Sequence, residues 1–232
     1  LALSGCCGQA NLFSLIIFFF EEVRRVRAEH QKAAQSCRGF MPHEEGMALY
    51  QAVAAVGAKG PIIEVGSYCG KSTIYLGSAA LEIGATVFTI DHHRGSEEMQ
   101  EGWDHHDSSL VDTETGRMDS LPELRKNLEN VGMESTVVAI VGDALTVSYF
   151  WETPCSLVFI DGGHGPIPAH ADFDSWAPKV CIGGLLAIHD VFPDPNDGGR
   201  PPYEIYLKAL NSQSFIDYAA VGSLRILQKI DL

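Results

Sequence analysis

Four side chains able to do acid–base or metal chemistry stand where two apolar runs end. Asp161 and His164 fall in Phe159-Ile160-Asp161-Gly162-Gly163-His164-Gly165, and His189 and Asp190 close Ala187-Ile188-His189-Asp190. Short apolar runs of this kind read as buried strands. In open α/β sheets, ligands bind outside the carboxyl ends of such strands. Carboxylates and imidazoles arriving from neighbouring strand ends suit an open divalent-metal site, with Asp161, His189 and Asp190 as candidate ligands. An unperturbed histidine pKa of about 6.5 suits proton removal near neutrality. His164 is therefore the candidate general base, with Asp161 beside it. The alternative is a loop acid and a core-edge histidine, each satisfied by backbone.

A second chemical element precedes these. Pro61-Ile-Ile-Glu64-Val-Gly66-Ser67-Tyr68-Cys69-Gly70-Lys71-Ser72-Thr73 is an apolar strand that breaks into a glycine turn and opens a helix. This arrangement brings backbone N–H groups up to a ligand. A P-loop requires G-x-x-x-x-G-K-[ST], but only Ser67, Tyr68 and Cys69 separate Gly66 from Gly70. Tyr68 also breaks G-x-G-x-x-G. The pattern Glu-x-Gly-x-x-x-Gly fits a ligand other than a polyphosphate. Residues 85–90 form a good second strand that ends at Asp91, 27 positions beyond Glu64, near the spacing of about 20 for ribose-binding acids. A carboxylate there can accept from both ribose hydroxyls. The rival reading of Asp91 is a cap or turn residue.

From about residue 41 to the C-terminus, these motifs resemble the class I S-adenosylmethionine-dependent methyltransferases. The resemblance implies that Glu64, Gly66, Ser67, Tyr68, Gly70 and Ser72 surround the methionine part of the cofactor. Asp91, with His92 beside it, is then expected at the ribose. Asp143, after the third strand, is expected to accept from the adenine amino group while the Ala144 backbone meets the ring. For Asp143 a plain helix N-cap is an equal rival. Asp161 is expected to border both cofactor and metal. The D-G-x-H and H-D pairs are similar to those of the group containing macrolide and aminocoumarin sugar O-methyltransferases and the cephalosporin hydroxylase relatives. In the sugar enzymes three carboxylates hold magnesium and a fourth, two residues after the first, is the base. Here Gly163 stands at the base position and His189 replaces one carboxylate.

The resemblance implies methyl transfer from S-adenosylmethionine to a small-molecule hydroxyl, assisted by Mg²⁺ or another divalent metal. The alternatives are a hydroxylase- or hydrolase-like relative with an Asp/His metal centre, and a P-loop-like nucleotide-binding protein.

The elements that must position these groups alternate. Helices are expected over 45–56, 72–81, 121–131 and 203–210. Strands are expected over 62–65, 85–90, 136–141, 157–160 and 185–188, with a closing pair over 214–221 and 224–229. Alternation of strand and helix calls for a parallel sheet covered on both faces. The expected fold is α/β: a Rossmann-like, doubly wound, mostly parallel seven-stranded sheet with a C-terminal antiparallel hairpin. Residues 91–120 form a long polar connection carrying His92, His93, Trp103, His105 and His106. Connections beyond about 12–15 residues are usually functional or disordered, and this one suits a lid over an acceptor. His105 and His106 read as solvated loop residues. A proline- and glycine-rich loop over 192–202 faces it.

The chain has 232 residues and a net charge of −14. That charge argues against nucleic acid, whose binding rests on phosphate neutralisation by Lys and Arg. Six cysteines carry no C-x-x-C pair and read as reduced thiols of a cytoplasmic protein. The apolar stretch 12–20 is too short for the roughly 20 residues of a membrane span. It reads as part of an amphipathic helix through Phe19, Val23, Val26 and Ala33 that packs on the core or on a second subunit. The expected organisation is an N-terminal extension over 1–40 and a Rossmann-like domain over 41–232.

Overall fold

Strand β1 (Ile62–Val65) is buried at all four positions because it lies mid-sheet with both faces covered. Such strands read as continuous apolar runs. The computed structural model describes residues 26–103, 105–163 and 165–231. His164 and the 12–20 stretch lie outside the described residues. Strands β2 (Val87–Asp91) and β4 (Cys155–Ile160) flank β1 in parallel, with Glu64 opposite Thr89 on one side and Phe159 on the other. Strand β3 (Val137–Val141) pairs with β2, and β5 (Val180–Ile188) with β4, both in parallel. Strand β7 (Leu224–Lys229) runs antiparallel to β5, and β6 (Phe215–Val221) closes the edge. The sheet order is β3-β2-β1-β4-β5-β7-β6. This is the expected seven-stranded, mostly parallel sheet with a C-terminal antiparallel hairpin.

The period of two along each strand sends alternate side chains to two separate cores. Ile62, Leu157, Phe159 and Leu185 pack beneath helices α1 (Ala28–Ser36), α2 (His43–Val56), α3 (Lys71–Ile83) and α4 (Leu121–Asn130). Ile63, Val65, Val158, Ile160 and Leu186 pack beneath α5 (Ala144–Ser148), α6 (Pro166–Trp176) and α7 (Pro201–Asn211). Helices α2 and α3 approach closely through Gly46, where a Cβ would fall 2.3 Å from the Tyr75 ring. Helix α1 docks on α3 through a buried hydrogen bond between His30 Nδ1 and Ser78 Oγ, 2.9 Å.

Helix α6 is the one long element missing from the sequence expectation. Its buried face, Ala169, Asp172, Phe173 and Trp176, has helical spacing. Gly165, Pro166 and Pro168 at its start read as loop, although proline is at home in a first turn. The 91–120 connection is also more ordered than expected. It holds two 3₁₀ turns, Glu97–Met99 and Ser108–Leu110, and a bridge between Val111 and Met118. Leu110 and Met118 are buried, so the connection packs down on its own apolar anchors.

Candidate active site

The strand order reverses between β1 and β4, and the carboxyl ends of β1, β2, β4 and β5 meet there. Gly66 makes that meeting close. Its φ is 87°, and a Cβ would fall 2.3 Å from the Asp161 carbonyl oxygen. Only glycine lets the turn after β1 lie this tightly against the end of β4. Tyr68 holds a positive φ of 49°, and Gly70, at 92°, hands the chain to α3.

Asp91 braces this turn. One carboxylate oxygen accepts from the backbone N–H groups of Ser67 and Tyr68, each at 2.9 Å, and the other from His93 N at 2.7 Å. His92 turns its Nδ1 to the Arg94 N–H, 3.0 Å. Glu64 does not face outward as an acceptor for a ligand. It is fully buried, and the hydroxyls of Ser72 and Thr73 each donate to it at 2.6 Å. Burial pushes its carboxyl up to about 7, only partly offset by these hydrogen bonds. Glu64 and Ser72 thus fasten the start of α3 to β1. Ser67 Oγ is the exception in the turn: it is buried and has no hydrogen-bond partner among the described residues. Buried hydroxyls without partners are rare, so this atom suits a polar ligand.

Asp143 caps α5, accepting from Thr146 N at 2.8 Å and Thr146 Oγ1 at 2.7 Å, and these bonds lower its pKa. The N-cap reading of Asp143 therefore holds. The Ala144 carbonyl accepts from Trp176 Nε1 at 3.2 Å, tying the same corner to α6.

Asp161, His189 and Asp190 converge. One ligand atom from each lies within 4.8 Å of the others. His189 is 4% exposed, and Asp190 holds a strained positive φ of 55°. His189 Nδ1 faces Asp161 Oδ1 at 2.9 Å and Asp190 Oδ2 at 3.4 Å, while Nε2 faces Glu45 Oε2 at 2.6 Å. Burial alone would lower the imidazole pKa. Asp161, Asp190 and Glu45 reverse that and push it up to about 12. As a donor set, two carboxylates and an imidazole whose far nitrogen already meets a carboxylate fit a divalent metal.

Glu45 was invisible to sequence reasoning. It sits in the first turn of α2 beside Glu44, where acidic residues are common because they favour the helix N-terminus. Two segments that meet beside the Gly66 turn also lie far apart in sequence. Arg38 pairs with Asp107 and Ser109 of the 91–120 connection, and Phe40 contacts Tyr68 and His105 at centroid distances of 6.0 and 4.7 Å. Trp103 remains 60% exposed beside them in sequence.

Sheet order, reversed last strand and glycine turn together define the class I S-adenosylmethionine-dependent methyltransferase fold. Residues 63–191 match the family model described as a methyltransferase domain, and the chain belongs to that family. It is an S-adenosylmethionine-dependent methyltransferase.

Solved structures share the fold. The O-methyltransferase TomG from Streptomyces achromogenes, solved with SAM and involved in tomaymycin synthesis, is 17% identical with a TM-score of 0.61. That match covers 94% of this chain and 96% of TomG. Cofactor-bound Rv0187 from MTB is 17% identical with a TM-score of 0.62, covering 96% and 99%. SAH-bound PaMTH1, a methyltransferase from Podospora anserina, is 12% identical with a TM-score of 0.61, covering 99% and 100%. Among the described residues, no helix is long and apolar enough to cross a membrane.

Proposed function

We propose that the chain methylates a hydroxyl group on a small-molecule acceptor, with a divalent metal held by Asp161, His189 and Asp190. The observation that carries this reading is the meeting of the Gly66 turn with the Asp161–His189–Asp190 cluster at one sheet end. S-adenosylmethionine supplies an electrophilic methyl on a sulfonium, so the protein's part is proximity, orientation and proton removal. Ser67, Tyr68 and Gly70 would line the methionine end, Asp91 would accept from the ribose hydroxyls, and Asp143 with Ala144 would meet the adenine. Asp161 and Asp190 would orient the acceptor oxygen, and His164 would take its proton. The likeness to TomG, an O-methyltransferase involved in tomaymycin synthesis, supports oxygen as the acceptor atom.

The net charge of −14 supports a small molecule over nucleic acid. Residues 41–232 form the catalytic domain of a cytoplasmic enzyme on this reading, and 1–40 an extension suited to packing on the core, as α1 does, or on a second subunit. A P-loop function is disfavoured because the Lys71 ammonium donates to the Gly39 carbonyl at 3.2 Å rather than into the turn. Calorimetric titration with S-adenosylmethionine, ATP and NAD tests the reading. Binding of S-adenosylmethionine alone is expected, and ATP binding without it would overturn the proposal.

A further inference from the structure

Glu45 stands outside the 63–191 family match, yet it makes the shortest contact that His189 has. The site has three parts that sequence distance conceals: α2 supplies Glu45, β5 leads into His189, and the β6–β7 turn supplies Ser223. Glu45 is 3% exposed. Its Oε1 accepts from Ser223 N at 2.6 Å and from Ser223 Oγ at 3.2 Å, while Oε2 meets His189 Nε2 at 2.6 Å. The Ser223 carbonyl in turn accepts from Val191 N at 2.9 Å, two residues past His189. Gly222, at φ 53°, lets this turn close down: a Cβ there would fall 2.1 Å from Glu45 Oε1. The carboxylate is therefore clamped on one side by a fixed backbone donor and on the other by the imidazole.

A clamped carboxylate accepts only. It holds a proton on His189 Nε2, so a cation that replaces the Nδ1 proton between His189, Asp161 and Asp190 finds Nδ1 as the ligating nitrogen. Metal-bound histidines almost always give their second ring N–H to such a partner, which fixes ring orientation and tautomer. We propose that Glu45 is a positioning residue that sets His189 Nδ1 as the third donor of a mixed Asp161–His189–Asp190 site. Resting on the metal-assisted reading above, the inference extends it to selectivity. An imidazole donor favours Zn²⁺ and Co²⁺ most and Mn²⁺ over Mg²⁺, whereas carboxylates alone suit Mg²⁺ and Mn²⁺ alike.

Glu45→Gln separates this role from packing. The Ser223 N–H can only donate, so the amide oxygen must face Ser223 and the amide NH₂ must face His189 Nε2. Nε2 must then accept, and the one proton of the neutral ring stays on Nδ1, where it blocks ligation while preserving the bond to Asp161. Calorimetry on the full chain with Mn²⁺ and Mg²⁺ should show Mn²⁺ affinity falling about 10–100-fold in Glu45→Gln. Mg²⁺ affinity should fall less, and S-adenosylmethionine affinity should stay within twofold. Should the variant fail to fold, nitrogen-15 NMR of the wild type with Zn²⁺ reads the same point. His189, assigned with His189→Asn, is expected to carry its proton on Nε2. Mn²⁺ affinity within threefold of wild type in Glu45→Gln, or a Zn²⁺-bound His189 protonated on Nδ1, overturns the proposal. A wild type that binds S-adenosylmethionine but neither Mn²⁺ nor Zn²⁺ also overturns it and leaves methyl transfer standing. Loss of S-adenosylmethionine binding in the wild type would instead refute the reading beneath it.

Discussion

Glu64→Gln should stabilise the protein relative to the wild type far more at pH 8 than at pH 5. The Glu64 carboxyl is fully buried between β1 and α3, where the Ser72 and Thr73 hydroxyls donate to it at 2.6 Å. Burial raises its pKa from 4.5 to about 7. A carboxyl whose folded pKa lies above its unfolded value binds its proton more tightly when folded. Its contribution to stability is then full below pH 4.5 and is lost as the pH rises through 7. At about 1.4 kcal/mol per pH unit, ionising it in place costs about 2–3 kcal/mol between pH 5 and pH 8. Glutamine has the same shape and no charge to lose, and the two hydroxyls can rotate to meet its amide. Urea unfolding of both proteins at several pH values isolates the effect, since titrations elsewhere cancel in the difference. The difference should grow by about 2–3 kcal/mol in favour of the variant between pH 5 and pH 8. A difference that stays flat with pH would refute the argument and mean that Glu64 stays ionised throughout.

Asp91→Ala should weaken S-adenosylmethionine binding by about 1.5–3 kcal/mol, the scale of a charge-assisted hydrogen bond, measured by calorimetry. It should also lower the melting temperature, because Ser67, Tyr68 and His93 lose a shared acceptor; wild-type affinity in the variant would remove Asp91 from the site. Chelation should abolish methyl transfer and added Mn²⁺ should restore it, whereas full activity in chelator would leave the Asp161–His189–Asp190 cluster as a purely ionic brace. Trp103→Ala should leave cofactor affinity within a few-fold but raise the acceptor KM. Unchanged kinetics, with residues 91–120 cleaved by protease equally with and without cofactor, would make that connection an insertion without a lid role.

The legible part of this molecule is the part built from local pattern. β1, β4 and the second half of β5 are buried on both faces, so each shows in the sequence as an apolar run. Chemistry placed at their ends, as with Asp161 and His189, inherits that clarity. Helix α6 escaped because its first turn is written in Gly165, Pro166 and Pro168, residues that serve a helix start and a loop equally well. The inward turn of Glu64 escaped for another reason. A carboxylate at a strand end looks the same in sequence whether it faces a ligand or the Ser72 and Thr73 hydroxyls of the next helix.

Glu45 and Ser223 mark the limit of reading by motif. They lie 178 residues apart, and neither falls within the 63–191 match. The family core therefore carries the parallel strands β1 to β5, the glycine turn and the side chains that face the cluster. What decides which nitrogen of His189 points at Asp161 comes from the two flanks, α2 and the closing hairpin. Where an imidazole stands in place of a carboxylate, a residue that sets its tautomer becomes necessary, since a carboxylate has two equivalent oxygens and an imidazole has two distinct nitrogens. On the metal-assisted reading, the imidazole at His189 and the clamp at Glu45 belong together, because Glu45 holds the tautomer that would ligate.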